Sequence, residues 1–186
     1  MHAMLKTSMR LKRRKKLKRN RRLRTLIKLP QEYLQAIESA NTLFPALYQF
    51  ENGLRLLLHK FLSGCYGQDW WESSLKSRQS NIYKYVSEQQ LRLNFMPWIG
   101  TYSKVDILPV HLVTLGQLEE IVKIYRSECI PELFPTIEFF LGHMEVIKRV
   151  RNMYSHMFPC ITKSDTRLTK SEIRILAIHI NSKLYS

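Results

Sequence analysis

The run Arg151-Asn152-Met153-Tyr154-Ser155-His156, together with Glu51 a hundred residues earlier, holds the residues of this chain whose types and positions can do chemistry. An imidazole titrates near neutrality and can take or give a proton. A guanidinium stays charged and presents a planar fork that matches a phosphate. Asn152 and His156 are i and i+4, so they share a helix face. Arg151 and His156 are five apart, about 140° around an ideal helix. They converge only if the helix frays at His156 or if two copies meet across a two-fold axis. Arg151 also falls on an apolar stripe made of Ile137, Phe140, Met144, Ile147 and Tyr154, and Glu51 interrupts the stripe of an earlier helix in the same way. A guanidinium at a core-facing position must be paired, because its desolvation is costly. Periodicity leaves two readings open: a Glu51–Arg151 tie between helices, or a polar pocket that uses both charges. A histidine at a helix end also has a plain role as partner of the helix dipole.

The elements that must position these residues are helical. A first long helix is predicted from Ile37, Ala40, Phe44, Leu47, Glu51, Leu54, Leu58, Phe61 and Cys65, with a kink or restart at Pro45 and an end at Gly64 and Gly67. Trp70 and Trp71 read as anchors of a corner. Ser77–Leu93 is a weaker helix with Ile82, Tyr85 and Val86 on one side, and Phe95–Val113 is a loop with a short extended piece at Ile107–Val113. Thr114 and Gln117 form a capping box before the stripe Leu115, Leu118, Val122, Tyr125 and Cys129. A further helix runs from Thr136 to His156. The last is opened by Thr169 with Glu172 and carries Ile173, Leu176, Ile180 and Leu184. The expected architecture is an all-α bundle of about four to five helices over residues 30–186, behind a basic arm at 1–29.

The chain has 186 residues, 45% of them hydrophobic, which suits one domain plus an appendage and excludes global disorder. No apolar run approaches the roughly 20 residues of a membrane span. Cys65, Cys129 and Cys160 form no C-x-x-C pair, so neither a disulfide framework nor a structural zinc site is expected, and a reducing cytoplasm is. His59, His111, His143 and His179 stand singly and read as surface or satisfied core, while Glu119 and Glu120 are adjacent rather than convergent. No metal and no cofactor is expected. Charge is concentrated at one end. Residues 1–30 hold thirteen basic residues and no acid: Lys6, Arg10, Lys12, Arg13, Arg14, Lys15, Lys16, Lys18, Arg19, Arg21, Arg22, Arg24 and Lys28. The other 156 residues carry 17 basic and 15 acidic, a net of only +2. Such an arm reads either as a grip on a polyanion, binding by counterion release, or as a solubilising or partner-binding tail. Met1–Leu29 lacks the apolar stretch of a signal peptide.

Arg151–His156, an R-x4-H motif with Asn directly after the Arg, resembles the signature of the HEPN superfamily (higher eukaryotes and prokaryotes nucleotide-binding domains). Two further blocks are similar to the Swt-type branch of that superfamily. One runs from Phe50-Glu51-Asn52-Gly53-Leu54-Arg55 to Tyr66-Gly67-Gln68-Asp69-Trp70-Trp71, and the other is Leu112–Ile121. The resemblance covers about residues 45–180. It implies an all-α homodimer whose two motifs line one cleft, typically a metal-independent endoribonuclease acting as a toxin, a defence effector or an RNA-processing factor. On that resemblance Arg151 and His156 are the catalytic pair, Asn152 helps to order them, Glu51 is the inward carboxylate of the first helix, and Arg55 is a recurring arginine of the same block. RNA is the implied substrate, with DNA as a second polyanion; an antitoxin or another complex partner is implied, and no membrane. Some relatives carry R-x4-H-x-Tyr, whose tyrosine is modified by a partner; Phe158 takes that place here, and that control does not carry over. The alternative is a non-catalytic nucleic-acid-binding or scaffold module that keeps the motif as a polar dimer seam.

Overall fold

Apolar residues three and four apart carry a first helix, α1, from Gln31 to Tyr66, 36 residues in one run. The computed structural model describes residues 29–94, 108–156 and 161–185. The basic residues from Lys6 to Lys28, Ile107 and Phe158 lie outside the described residues. No restart occurs at Pro45, because α1 continues through it. Pro45 and Asn41, whose carbonyl loses its helical donor, are both exposed, so water can satisfy that carbonyl. Leu43, Leu47 and Phe50 hold the flanking turns in the core.

The buried stripe of α1 is rotated from the predicted one. Ala36, Ala40, Leu43, Leu47, Phe50, Leu54, Leu57, Leu58 and Leu62 face inward, whereas Ile37 and Phe44 are 42% and 50% exposed and Cys65 is exposed. Two apolar sets offset by one position run along this helix, and packing on the last helix decides which is buried. Gly67 ends α1 at φ 88°, a left-handed conformation that suits a residue without Cβ.

The tryptophan corner is an anchor. Trp70 is buried, donates its indole N–H to His59 Nδ1 at 3.1 Å, and meets the Tyr125 ring edge-on at 6.2 Å. A π turn at Trp71–Leu75 leads into α2 (Lys76–Arg78) and α3 (Ser80–Asn94), the latter burying Ile82 and Val86. Where an extended piece was predicted, Pro109–Leu112 forms a 3₁₀ turn. Proline at its first position pre-sets φ and has no N–H to leave unpaired.

Thr114 and Gln117 cap α4 (Leu115–Ile124) reciprocally, and all five predicted stripe residues from Leu115 to Cys129 are buried. A single turn, α5 (Arg126–Cys129), precedes α6 (Ile137–Ser155), whose N-terminus is capped by the Thr136 hydroxyl. The last helix, α7, spans Lys163–Leu184 and is opened by Thr162 with Asp165, not by Thr169 with Glu172. Thr169 is buried inside it and donates to the Asp165 carbonyl at 2.8 Å, so its hydroxyl is used within the helix.

The fold is all-α: α1 packs along α7, α6 on α7, and α4 against α1 and α6. Five longer helices and two short ones are present among the described residues, without a strand. No helix among them is long and apolar enough to cross a membrane. Glu119 turns inward from α4, where Lys148 of α6 reaches it at 2.6 Å and Lys123 at 2.8 Å. Burial alone would push its carboxyl up; hydrogen bonds from Lys123 and Lys148 reverse this and hold it below the ordinary value.

Candidate functional site

Glu51 and Arg55 are one turn apart on α1, and they form an ion pair there. The Arg55 side chain is only 10% exposed. Its Nη2 also donates to the Val113 carbonyl at 2.9 Å, and its Nη1 to Asn52 Oδ1 at 3.2 Å. Asn52 in turn donates to the Tyr48 carbonyl at 2.9 Å. Arg55 Nε is buried and finds no acceptor among the described residues. One guanidinium thus ties the middle of α1 to the entry of α4 and fixes one oxygen of Glu51.

The other oxygen of Glu51 faces α6, with Arg151 Nε 3.9 Å away. Arg151 does not occupy the core position expected of it. Its side chain is 34% exposed, and Val150, only 1% exposed, takes the innermost place. The stripe of α6 follows a helical period close to 3.6, so its inner edge falls on Val150 by this turn and leaves Arg151 at the seam with α1. α6 stops at Ser155. His156 lies at the C-cap with φ −92° and ψ 10°, and its backbone N–H donates to the Asn152 carbonyl at 3.0 Å. The helix therefore ends just before His156. Asn152 and His156 are exposed side by side at this end, whereas Glu51 and Arg151 are gathered at the seam.

Two sets of contacts at the site are not foreseen by the sequence reading. Tyr154, half-buried, packs on Phe44 at 6.1 Å between ring centroids, and Phe44 on Tyr48 at 6.1 Å. The i, i+4 spacing of Phe44 and Tyr48 was available as a signal; their partner on α6 was not. Arg55 was visible as an i+4 partner of Glu51, but its bond to Val113, 58 residues on, was not.

Behind the cluster, His111 comes from the 3₁₀ turn. Burial, then the Arg55 guanidinium and His59, push its imidazole below the ordinary value. The native state therefore holds His111 neutral, while the unfolded chain takes up its proton near pH 6.5. Stability from this group is full above about pH 6.5 and is lost as pH falls below it, with Glu119 and Asp165, both held below their ordinary values, adding a second loss below about pH 4. Thermal melts from pH 8 to pH 4 should show a first decline below about pH 6.5 that is reduced in His111→Gln. An identical decline in that variant would assign the effect elsewhere.

His143 and His179 are not isolated either. His143 Nδ1 pairs with Glu172 across α6 and α7, and the Phe139 ring lies edge-on to His143 at 4.5 Å and to His179 at 5.2 Å. Among the described residues, no three His, Cys, Asp or Glu side chains gather as metal ligands. No protein-family model, no curated protein and no solved structure matches the chain.

Proposed function

We propose that the chain is a metal-independent endoribonuclease of the HEPN kind, acting as a homodimer through Arg151 and His156. The observation that carries this reading is the way Arg151 is held. Glu51 stands 3.9 Å from its Nε, Arg55 fixes Glu51 from behind, and a third of the Arg151 side chain stays open to solvent near the end of α6 where Asn152 and His156 are exposed. A guanidinium steadied on one edge and open on another can present its fork to a phosphate without reorganising.

In the reaction, the 2′-hydroxyl of RNA gives up its proton and attacks the adjacent phosphorus. The bond to the 5′-oxygen breaks, and that oxygen takes a proton. His156 is the group for the proton, Arg151 for the charge on the phosphorane oxygens, and Asn152 orders the pair. Arg151 leans toward α1 while His156 lies beyond the end of α6, so two copies would complete one site between them. Tyr33, Ile37, Phe44 and Tyr48, exposed at helical spacing along α1 up to Glu51, form the apolar strip that a second copy would cover. The arm residues Arg10 to Arg24 would add phosphate contacts. A toxin or defence role in the cytoplasm, held in check by an antitoxin, fits such an activity. A non-catalytic nucleic-acid-binding module is the second reading, favoured by the exposure of His156 and Asn152 apart from the Glu51–Arg55 pair.

The test is incubation of the pure full chain with mixed RNAs, with and without EDTA, and mass spectrometry of the ends. The expected result is cleavage in EDTA leaving 2′,3′-cyclic phosphate and 5′-hydroxyl ends, from a particle of about twice 22.2 kDa by light scattering. RNA retarded on a gel but left intact would select the binding module.

A further inference from the structure

Lys163, Arg167, Lys170 and Arg174 follow one another along α7 in steps of four, three and four. That spacing puts all four within about 60° of one helix face, a ridge about 16 Å long. Lys163, Arg167 and Arg174 are exposed and Lys170 is half-buried, while α7 faces the core with Thr166, Thr169, Ile173, Leu176 and Ile180. The acids of α7 that could neutralise the ridge are committed elsewhere. Asp165 closes the N-terminal capping box with Thr162, and Glu172 pairs with His143 on α6. Every other ion pair among the described residues is made by other cations.

The ridge starts at the same end of the bundle as the R-x4-H motif. Arg149 near the end of α6 lies within electrostatic reach of Asp165 in the first turn of α7, which sets the two helix ends at one level. Arg151 and Lys163, each two residues away, turn about 160° from that contact, so a strand joins them around this end of the bundle. No large apolar side chain lies on the ridge face between Lys163 and Arg174, so it lacks the buried anchors of a protein interface and the apolar side of a membrane-surface helix. Four cations about 4.5–6 Å apart along a helix suit a run of phosphates instead.

We propose that this face of α7 is the track for the phosphate backbone of a single RNA strand whose scissile phosphate reaches Arg151. The proposal rests on the ribonuclease reading for its direction, from the motif outward, and adds a substrate surface separate from the N-terminal arm. Four lost phosphate contacts on a single strand change the log–log salt slope by about 2.8.

Binding is measured apart from turnover, in full-length protein carrying His156→Ala, with a fluorescein-labelled single-stranded RNA followed by anisotropy between 50 and 200 mM salt. Adding Lys163→Gln, Arg167→Gln, Lys170→Gln and Arg174→Gln should weaken binding at least tenfold at 150 mM salt and flatten the slope by about 2 to 3, with an unchanged melting curve. Unchanged affinity and slope overturn the track, even if the chain with His156 intact cleaves RNA. A flattened slope with no cleavage by that chain removes the nuclease and leaves the track. Loss of binding to phosphatidylserine vesicles or polyglutamate, with RNA binding intact, also overturns it in favour of those partners.

Discussion

His156→Ala is expected to lower RNA cleavage by about 10²–10⁴-fold while moving stability by less than about 0.5 kcal/mol. The residue is exposed at the C-cap of α6, and the bond from its backbone N–H to the Asn152 carbonyl is kept by alanine. Arg151→Ala should lose cleavage to a similar degree. It should cost no more than about 1 kcal/mol of stability, since the pair with Glu51 is long and a third of the side chain is solvated. Arg151→Lys should fail as well, because an ammonium is a point charge and cannot replace a two-pronged fork. Single-turnover cleavage and thermal melts of the three variants separate chemistry from folding. Wild-type rates in His156→Ala would leave the R-x4-H motif without a catalytic role.

Arg55→Met should have the opposite signature, with a large loss of stability. Removing it leaves the Val113 carbonyl without its donor and Glu51 with only the distant Arg151, inside a seam where Arg55 is nine-tenths buried. Breaking one side of a buried ion pair costs about 3–5 kcal/mol. For a chain of this size that lowers the melting temperature by on the order of 10 °C. Glu51→Gln combined with Arg55→Met should recover part of it, because no carboxylate is then left with its buried partner removed. A melting temperature within two degrees of wild type for Arg55→Met would show that the cluster does not hold α1 to the α4 entry.

Local rules explain which parts of this fold are legible in the sequence. Thr114 and Gln117 form their box from residues three apart, and the stripe from Leu115 to Cys129 has no competing apolar set, so both can be read from the chain and both are present. α1 carries two apolar sets, and only packing against the rest of the bundle, most of it α7, chooses Leu43 over Phe44. The start of α7 is misread for a related reason. Thr162 with Asp165 and Thr169 with Glu172 both satisfy a capping pattern, and the second pair lies inside the helix, where the Thr169 hydroxyl donates to the Asp165 carbonyl and Glu172 pairs with His143 on α6. At the site, the R-x4-H spacing and the inward Glu51 are legible, while the displacement of Arg151 by Val150 follows from a one-residue drift in period. Contacts between distant segments, such as Arg55 to Val113 or Phe44 to Tyr154, have no local signature at all.

Glu51 shares one carboxylate between two guanidiniums, Arg55 and Arg151. Counted as a closed group, these three side chains carry one surplus positive charge. An internal phosphodiester brings one negative charge and would leave the seam electrically neutral. A terminal phosphate brings about 1.5 to 2 negative charges at neutral pH and would leave an excess beside Glu51. On the proposed reading, the stoichiometry of this triad would therefore favour the interior of a strand over its phosphorylated end, a preference set by the charge count of three residues.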